Sequence, residues 1–275
     1  MAPAGAAADE TPASGVTDVS AIQPLLDVSS LTMRFGGLLA VDGVELKILP
    51  QQIVSMIGPN GAGKTTVFNC LTGFYKPSAG RILFRGEDIQ GLPGFKVARR
   101  GMVRTFQHVR LFKEMSVVEN LLVAQHHNMN TSMLAGLFKT PAFRRSEKEA
   151  MERAAYWLER VNLLEFANRK ANTLAYGQQR RLEIARCMVT QPTLLMLDEP
   201  AAGLNPRETE ELKELIAELR NTHKLTILLI EHDMKLVMSI SDRIVVINQG
   251  CPLAEGTPEE IRQNPDVIKA YLGET

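Results

Sequence analysis

One short segment of this sequence has the residue types of a phosphate-binding loop. Residues 58–66 are Gly-Pro-Asn-Gly-Ala-Gly-Lys-Thr-Thr, which fits the pattern GxxxxGK[ST]. An apolar run precedes the loop and a helical pattern follows it, which is the strand, loop and helix context that the motif requires. Glycines let backbone N–H groups approach a polyphosphate, the lysine reaches the terminal phosphates, and the threonine hydroxyl can ligate Mg²⁺. The segment therefore predicts a site for a nucleoside triphosphate.

Two acidic residues follow another apolar run further along the chain. Residues 194–197 are Leu-Leu-Met-Leu, and Asp198 and Glu199 come directly after them. A buried strand that ends in a carboxylate can deliver it to Mg²⁺ beside bound phosphates, so we expect Asp198 to be a metal ligand. Glu199 would lie at the exit of the strand, where a carboxylate can polarise an attacking water. The alternative for the pair is an acidic strand end without a function.

The composition is that of an ordinary globular protein. The 275 residues contain 31 Lys and Arg against 31 Asp and Glu, and 45% of them are hydrophobic. A net charge of zero gives no basic surface for nucleic acid, so we expect no nucleic-acid partner. Cys70, Cys187 and Cys251 are far apart and odd in number, which favours a reducing cytosol over disulfides or a zinc site. No apolar run is long enough to cross a bilayer.

Residue patterns also divide the chain into parts. Residues 1–24 are rich in Ala, Pro, Gly, Ser and Thr and lack the features of a signal peptide, so we expect a disordered tail. Helical spacing dominates from 108 to about 190, with 126–145 as a loop or short helix. Buried, parallel-type strands then alternate with helices, which predicts an α/β fold with a mainly parallel sheet. A helical tail at 257–275 closes the chain.

The same patterns predict the bounds of single elements. The expected strands cover residues 25–31, 46–49, 53–57, 80–84, 194–197, 226–230 and 244–247, and a stretch ending at Phe106 is expected to continue the β-rich part. The expected helices cover residues 65–73, 117–125, 146–161, 206–221, 233–240 and 256–272.

A third motif lies between the phosphate loop and the acidic pair. Residues 174–179 are Leu-Ala-Tyr-Gly-Gln-Gln, and a helical segment follows them. Together with the loop, Gln107, the acidic pair and His232 after an apolar strand, this order resembles the ATP-binding-cassette (ABC) ATPases over about residues 25–256. Within that family the chain is most similar to the ATP-binding subunits of branched-chain amino-acid transporters of the LivG type. The segments that carry this closer resemblance are 34–38, 104–107, 119–120, 176–181, 198–206, 231–233, 256–261 and 271–274.

The resemblance implies a fold and a ligand. The fold is a P-loop NTPase cassette, in which a mainly parallel RecA-like sheet joins an antiparallel β portion and receives an inserted helical subdomain over about 108–190. The ligands are ATP and Mg²⁺. By matching positions, the residues implied to bind ATP are Phe35, Gly58, Pro59, Asn60, Gly61, Ala62, Gly63, Lys64, Thr65 and Thr66.

Matching positions also imply roles for single side chains. Phe35 corresponds to the aromatic residue that stacks on adenine, and the alternative is a core phenylalanine at a strand end. Gln107 corresponds to the glutamine that senses Mg²⁺ or water, and the alternative is a solvated loop residue. His232 corresponds to the histidine that contacts the γ-phosphate, and the alternative is a surface histidine. The implied catalytic residues are Glu199, His232 and Gln107, and the implied Mg²⁺ ligands are Thr65, Gln107 and Asp198.

In this family two ATPase subunits meet head to tail, and the signature segment of one contacts the ATP held by the other. The implied signature residues are Ala175, Tyr176, Gly177 and Gln178. Ala175 stands where the commonest form has a serine hydroxyl for the γ-phosphate, so that contact is missing. Asn205, where many relatives have an aspartate, is a second departure. We therefore expect the second ATPase subunit to be non-identical and to retain the serine.

The function that the resemblance implies is ATP hydrolysis that energises a membrane transporter, with import of leucine, isoleucine and valine as the expected task. The expected partners are the second ATPase, two transmembrane permease subunits and an extracytoplasmic substrate-binding protein. The chain would be peripheral on the cytoplasmic face of the inner membrane. A groove near Gln107 with Val109, Leu111, Phe112 and Met115 is the expected permease contact, unless these four are core residues.

Other functions remain open at this point. The same cassette can serve another cargo, as in lipid export, because permeases and a binding protein select the cargo. A soluble ABC ATPase acting on DNA or ribosomes usually needs a coiled-coil insert or a second cassette, and the sequence has neither. A P-loop GTPase or kinase does not need residues 174–179, and the guanine-recognising NKxD motif is absent.

Overall fold

Two sheets position the residues of interest. The structure is a computed structural model that describes residues 23–126 and 140–272. The predicted disordered tail at 1–24 therefore lies almost wholly outside the described residues, as does most of the predicted loop at 126–145.

The larger sheet contains the apolar run that precedes the phosphate loop and those that form the later strands. Its strands are β3 (Ile53–Ile57), β6 (Met102–Arg104), β7 (Leu194–Asp198), β8 (Thr226–Ile230), β9 (Arg243–Asn248) and β10 (Cys251–Gly256), in the spatial order β10, β9, β3, β8, β7, β6. Only β10 is antiparallel to its neighbour. Every residue of β3, β7 and β8 is buried, as expected for strands covered on both faces. The α/β fold with a mainly parallel sheet is confirmed.

The smaller sheet is antiparallel and lies in the N-terminal half of the chain. Its strands are β1 (Leu26–Phe35), β2 (Leu38–Ile48), β4 (Ala79–Phe84) and β5 (Glu87–Asp88), in the order β2, β1, β4, β5. The predicted strands 25–31 and 46–49 were too short because Asp42-Gly43 looked like a turn. Gly43 instead has φ +62° inside β2, where the register with β1 shifts, so the dipeptide forms a bulge.

Most helices agree with the sequence pattern except at their ends, but the helix at Gly94–Arg99 was not predicted and lies in a stretch that was expected to be β-rich. The helices are α1 (Lys64–Leu71), α2 (Gly94–Arg99), α3 (Val117–Ala124), α4 (Pro141–Arg160), α5 (Tyr176–Met188), α6 (Pro206–Asn221), α7 (Met234–Ile240), α8 (Pro258–Gln263) and α9 (Pro265–Leu272). Helix α4 begins five residues before the predicted start at 146, because Thr140 caps it and Pro141 occupies its first turn. The predicted tail helix at 256–272 is two helices, since Pro265 starts a new one. The sequence pattern also did not predict strand β10, which precedes α8 and α9.

The helices between β6 and β7 share a core with the larger sheet. Leu121 of α3, Leu158 of α4 and Leu182 of α5 belong to one buried cluster that also contains Leu195 and Leu197 of β7. This shared core fixes α5, which carries the signature residues at its start, against the strand that ends in Asp198. The predicted domain bounds, 25–256 with a helical subdomain at about 108–190, stay predictions.

A buried amide holds the loop that leads into α3. Asn120 is fully buried, and its Nδ2 donates to the carbonyl oxygens of Phe112 at 3.1 Å and Ser116 at 2.9 Å. Its Oδ1 accepts from the Phe112 backbone N–H at 2.9 Å. Ser116 and Glu119 add a capping box at the start of α3. Asn120 therefore ties both ends of residues 112–116 to α3.

We expect Asn120→Ala to lower the free energy of unfolding by about 1–3 kcal/mol, because it leaves buried backbone groups unpaired. The matched control is Asn172→Ala, which removes an exposed amide bonded to Glu114 and should change stability by less than about 0.5 kcal/mol. Urea unfolding of both variants measures the difference. Equal effects would contradict the role given to Asn120.

Candidate functional site

A cavity of about 650 Å³ opens where the phosphate loop leaves β3. The predicted site residues that line it are Phe35, Asn60, Gly61, Ala62, Gly63, Lys64, Thr65, Thr66, Gln107, Glu199 and His232. These residues come from distant parts of the chain, and the larger sheet brings them together at one of its edges. Gly58, Pro59 and Asp198 are absent from the lining.

The phosphate loop depends on glycine at several positions. Gly58, Gly61 and Gly63 have φ of +153°, +80° and +98°, which are backbone angles that residues other than glycine rarely adopt. A Cβ on Gly58 would come 2.0 Å from the Ile247 carbonyl oxygen of β9. The loop can therefore pass β9 only with glycine there. Helix α1 then begins at Lys64 with no capping side chain and no acid in its first turn, which leaves backbone N–H groups for an anion.

Lys64 is folded back onto its own loop. It is 5% exposed, and its Nζ donates to the carbonyl oxygens of Gly58 at 2.7 Å and Pro59 at 2.9 Å. Burial lowers the pKa of its ammonium group, and the charges of Glu199 and Asp198 oppose that shift. The ammonium therefore lies in the loop beside both carboxylates.

Asp198 is held by a buried arginine. Arg104 Nη2 donates to Asp198 Oδ2 at 2.8 Å, and the two side chains are 7% and 2% exposed. Arg104 also donates to Asn69 at 2.7 Å and Thr72 at 3.2 Å. Burial raises the pKa of Asp198, and Arg104 opposes that shift. The sequence analysis did not single out a role for Arg104, because nothing in the pattern shows which acid it meets.

The oxygen atoms near Asp198 are suitable ligands for a magnesium ion. Asp198 Oδ1 is buried without a hydrogen-bond partner, so one carboxylate oxygen is left for another ligand. A second cavity, of about 300 Å³, is lined by Thr65, Gln107 and Asp198 among others, which are the three predicted ligands. Hydroxyl, amide and carboxylate oxygens suit Mg²⁺. Among the described residues, no cluster of three or more His, Cys, Asp and Glu side chains could hold a metal.

Glu199 is held between Gln107 and His232. Its Oε1 lies 2.9 Å from His232 Nε2, and its Oε2 accepts from Gln107 Nε2 at 3.0 Å. Glu199 has φ +48°, a left-handed backbone that turns the chain directly after β7. The neighbouring acids therefore face different surroundings, with Asp198 buried and Glu199 in the lining of the cavity. The three predicted catalytic residues are in contact.

A buried carboxylate, that of Glu231, binds the backbone next to Glu199 and His232. Glu231 is 3% exposed, and its Oε1 accepts from the Ala201 backbone N–H at 2.7 Å. Its Oε2 accepts from the backbone N–H groups of His232 at 2.9 Å and Asp233 at 3.4 Å. Burial raises its pKa, and these backbone N–H groups oppose that shift. Glu231 therefore ties the loop after Glu199 to the turn that carries His232, a role that sequence reasoning did not find.

The far end of the cavity is apolar. Phe35 is 40% exposed and packs edge to face on Tyr75 with ring centroids 5.2 Å apart, so it is not the core residue of the alternative interpretation. Stacking on adenine stays a prediction. Sequence reasoning missed the lining residues Leu38, Leu39, Ala40, Gln249 and Gly250. The fold brings Gly250 against Ala40 and Ala62, a contact between segments far apart in sequence.

The predicted signature residues do not line the cavity. Ala175 is the N-cap of α5, and its backbone N–H donates to Gln178 Oε1 at 3.0 Å. Gly177 is packed under Glu208, since a Cβ there would lie 2.4 Å from Glu208 Oε1. Asn205 accepts from the Glu208 N–H at 3.0 Å and so caps α6. The second departure from the family pattern thus has a local structural role.

The predicted permease groove is partly exposed. Phe112 and Met115 are 47% and 39% exposed, so the alternative that all four residues are core is wrong for these two. Val109 is half-buried, and Leu111 packs against the core that α3 and α5 share.

We expect Gly58→Ala to abolish ATP binding and destabilise the protein, because the clash is with the backbone of β9. The matched control is Gly61→Ala in the same loop, where no atom lies within 4 Å of the added Cβ and only backbone strain of about 1–3 kcal/mol remains. Thermal unfolding and ATP titration compare the two. Equal stability and affinity would contradict this account of the loop.

No helix in the described residues is long and apolar enough to span a membrane. The ABC transporter family profile matches residues 41–202, and that of the branched-chain amino acid ATP-binding cassette transporters matches 251–275. The high-affinity branched-chain amino acid transport ATP-binding protein BraF of Pseudomonas aeruginosa is 77% identical over 92% of this chain and 99% of its own length. LivG of Escherichia coli K12, described by the same function, is 73% identical over the same shares.

Solved structures agree with these relatives. The crystal structure of an ATP-binding cassette of an ABC transporter in its ADP conformation has a TM-score of 0.79 and 33% identity, over 92% of this chain and all of that one. A nucleotide-free ATP-binding cassette from an ABC transporter has the same TM-score at 34% identity, with the same coverage of both chains. The chain therefore belongs to the ABC transporter ATPases and, within them, to the branched-chain amino acid transport ATP-binding proteins.

Proposed function

We propose that this chain binds ATP with Mg²⁺ in the cavity above the phosphate loop and uses Glu199 to hydrolyse it. The observation that carries the proposal is the position of Glu199, whose carboxylate contacts His232 and Gln107 in the lining shared with Lys64. A carboxylate beside the terminal phosphate can accept a proton from the attacking water. An ATPase of this family needs a base at this place.

The other residues act by position and charge. Lys64 and the N–H groups of α1 hold the phosphates, and Phe35 offers an aromatic face to the base of ATP. His232 donates a hydrogen bond to the γ-phosphate, and Gln107 orients the water beside Glu199. Thr65, Gln107 and Asp198 would hold Mg²⁺, which supplies positive charge to the phosphates when it is bound. Arg104 keeps one oxygen of Asp198 occupied and the other available.

The site is one half of a composite site. Ala175 to Gln178 lie at the start of α5 and do not line this cavity, which is consistent with a role at the ATP of a second subunit. Backbone N–H groups at the start of that helix can contact a phosphate without the missing serine hydroxyl. Because Ala175 supplies no hydroxyl, the second ATPase is a different chain that retains serine. Closure on ATP and opening after hydrolysis then perform the work.

The transporter imports branched-chain amino acids. This assignment rests on the described function of BraF and LivG and on their identity of 77% and 73% to this chain. Two permeases would contact the exposed face formed by Phe112 and Met115, and a substrate-binding protein would deliver the amino acid outside the membrane. The chain then sits on the cytoplasmic face of the inner membrane as a peripheral subunit.

Glu199→Gln should keep ATP affinity within about twofold and lower turnover by about 10²-fold or more, because the amide cannot accept the proton. Nucleotide titration and phosphate release in the presence of Mg²⁺ measure the two effects. The control is Lys64→Ala, which should lose ATP affinity instead. Unchanged hydrolysis by the Glu199 variant would remove it as the base, and intact binding by the Lys64 variant would contradict the phosphate-loop assignment.

The purified chain alone should hydrolyse ATP far more slowly, per site, than the complex isolated from membranes. The physical reason is that two copies of this chain would present Ala175 at both composite sites. Size analysis in ATP and turnover per site test this, with the Ala175→Ser variant as the comparison that restores a hydroxyl. A wild-type chain that forms a dimer on ATP and equals the complex would refute the non-identical partner.

A further inference from the structure

Two charged residues of α5 face the loop that carries Gln107. Arg180 and Glu183 lie one turn apart and are 3% and 1% exposed, with Arg180 Nη1 at 3.4 Å from Glu183 Oε2. Their helix begins with the predicted signature residues. The ring of Tyr176, one turn earlier, lies 5.4 Å from the Arg180 guanidinium carbon and covers it.

This pair forms hydrogen bonds with both the carbonyl groups and the N–H groups of the Gln107 loop backbone. Arg180 donates through Nη1 to the Phe106 carbonyl oxygen at 2.8 Å, and through Nη2 to the carbonyl oxygen of Gln107. Glu183 Oε1 accepts from the backbone N–H groups of Phe106 at 3.4 Å and Arg110 at 3.3 Å. Four hydrogen bonds therefore hold residues 106–110 to α5.

Burial of two charges is not an efficient way to stabilise a fold. The desolvation of both groups offsets most of their attraction, and apolar residues of similar size often serve stability as well. Burial raises the pKa of Glu183, against the opposing effects of the Arg110 N–H and the Arg180 charge. The geometry of the pair fits another task, because its donors and acceptors match the backbone groups on either side of Gln107.

We infer that Arg180 and Glu183 are positioning residues that fix the Gln107 loop on α5 and so hold Gln107 against Glu199. The Gln107 side chain contacts Glu199 at 3.0 Å, while its backbone carbonyl contacts Arg180. This inference rests on the proposed function.

The first test compares Arg180→Met with Arg181→Met in the full chain. Arg181 is the next residue of the same helix and pairs with Glu211 at 2.9 Å, without contact to the Gln107 loop. Arg180→Met should lower turnover by about tenfold or more with the ATP KM within about twofold, because the phosphate loop is untouched. Arg181→Met should stay within about twofold of wild type in both quantities. Equal turnover of the two variants would overturn the inference.

A double variant separates positioning from stability. Arg180→Met with Glu183→Gln removes the unpaired buried charge that the single variant leaves behind. The expected result is a melting temperature closer to wild type while turnover stays low. Recovery of both quantities would mean that the pair is only structural, and the inference would fail.

Hydrogen exchange provides a readout that does not depend on ATP hydrolysis. In Arg180→Met, backbone amides of residues 106–110 should exchange faster than in wild type, while those of α1 should not change. Unchanged exchange at 106–110 would overturn the inference even in an active protein. If the exchange difference between Arg180→Met and wild type is found but the wild-type chain neither binds nor hydrolyses ATP, the proposed function alone is refuted.

Discussion

The rest of the site depends on how β7 ends. The strand is buried along its whole length, and the chain turns at Glu199 through a left-handed backbone conformation. Two successive carboxylates thereby meet opposite surroundings. Asp198 remains in the interior against Arg104, with one oxygen unpaired, while Glu199 reaches the cavity and contacts His232 and Gln107. Neighbouring acids in different environments can take different roles, one toward a metal ion and one toward a proton.

The sequence predicted the parts of this site that follow from local patterns. Glycine spacing around Lys64 and an apolar strand ending in two acids are visible without a fold, and they identified half of the residues that line the cavity. Contacts between distant segments were not predictable in the same way. Arg104, Glu231 and Gly250 owe their roles to strand order, because β6, β8 and β9 bring them beside β7 and β3. Asp42-Gly43 predicts a turn, because the same dipeptide also marks turns, but it forms a bulge instead. The pattern of segment 256–272 predicts one helix, but the segment is broken at Pro265.

Helix α5 connects two tasks that are separate in sequence. Its first residues carry the signature segment, and its second and third turns carry Arg180 and Glu183, which bind the loop of Gln107. The exposed Phe112 and Met115 follow that same loop, held in place by Asn120. A short stretch of backbone thus lies next to Glu199, the proposed base, to the helix with the predicted signature residues and to the surface proposed for a permease. We propose that a change at the nucleotide reaches a membrane partner through these contacts.

The most direct test of the account is a structure of the transporter complex with ATP and Mg²⁺ bound, solved with the Glu199→Gln variant to halt hydrolysis. The account predicts the γ-phosphate at Lys64 and His232, a water within hydrogen-bond distance of residue 199, and the N-terminus of α5 at the nucleotide of a different ATPase chain. A γ-phosphate remote from residue 199, or a second copy of this chain as the partner, would contradict it.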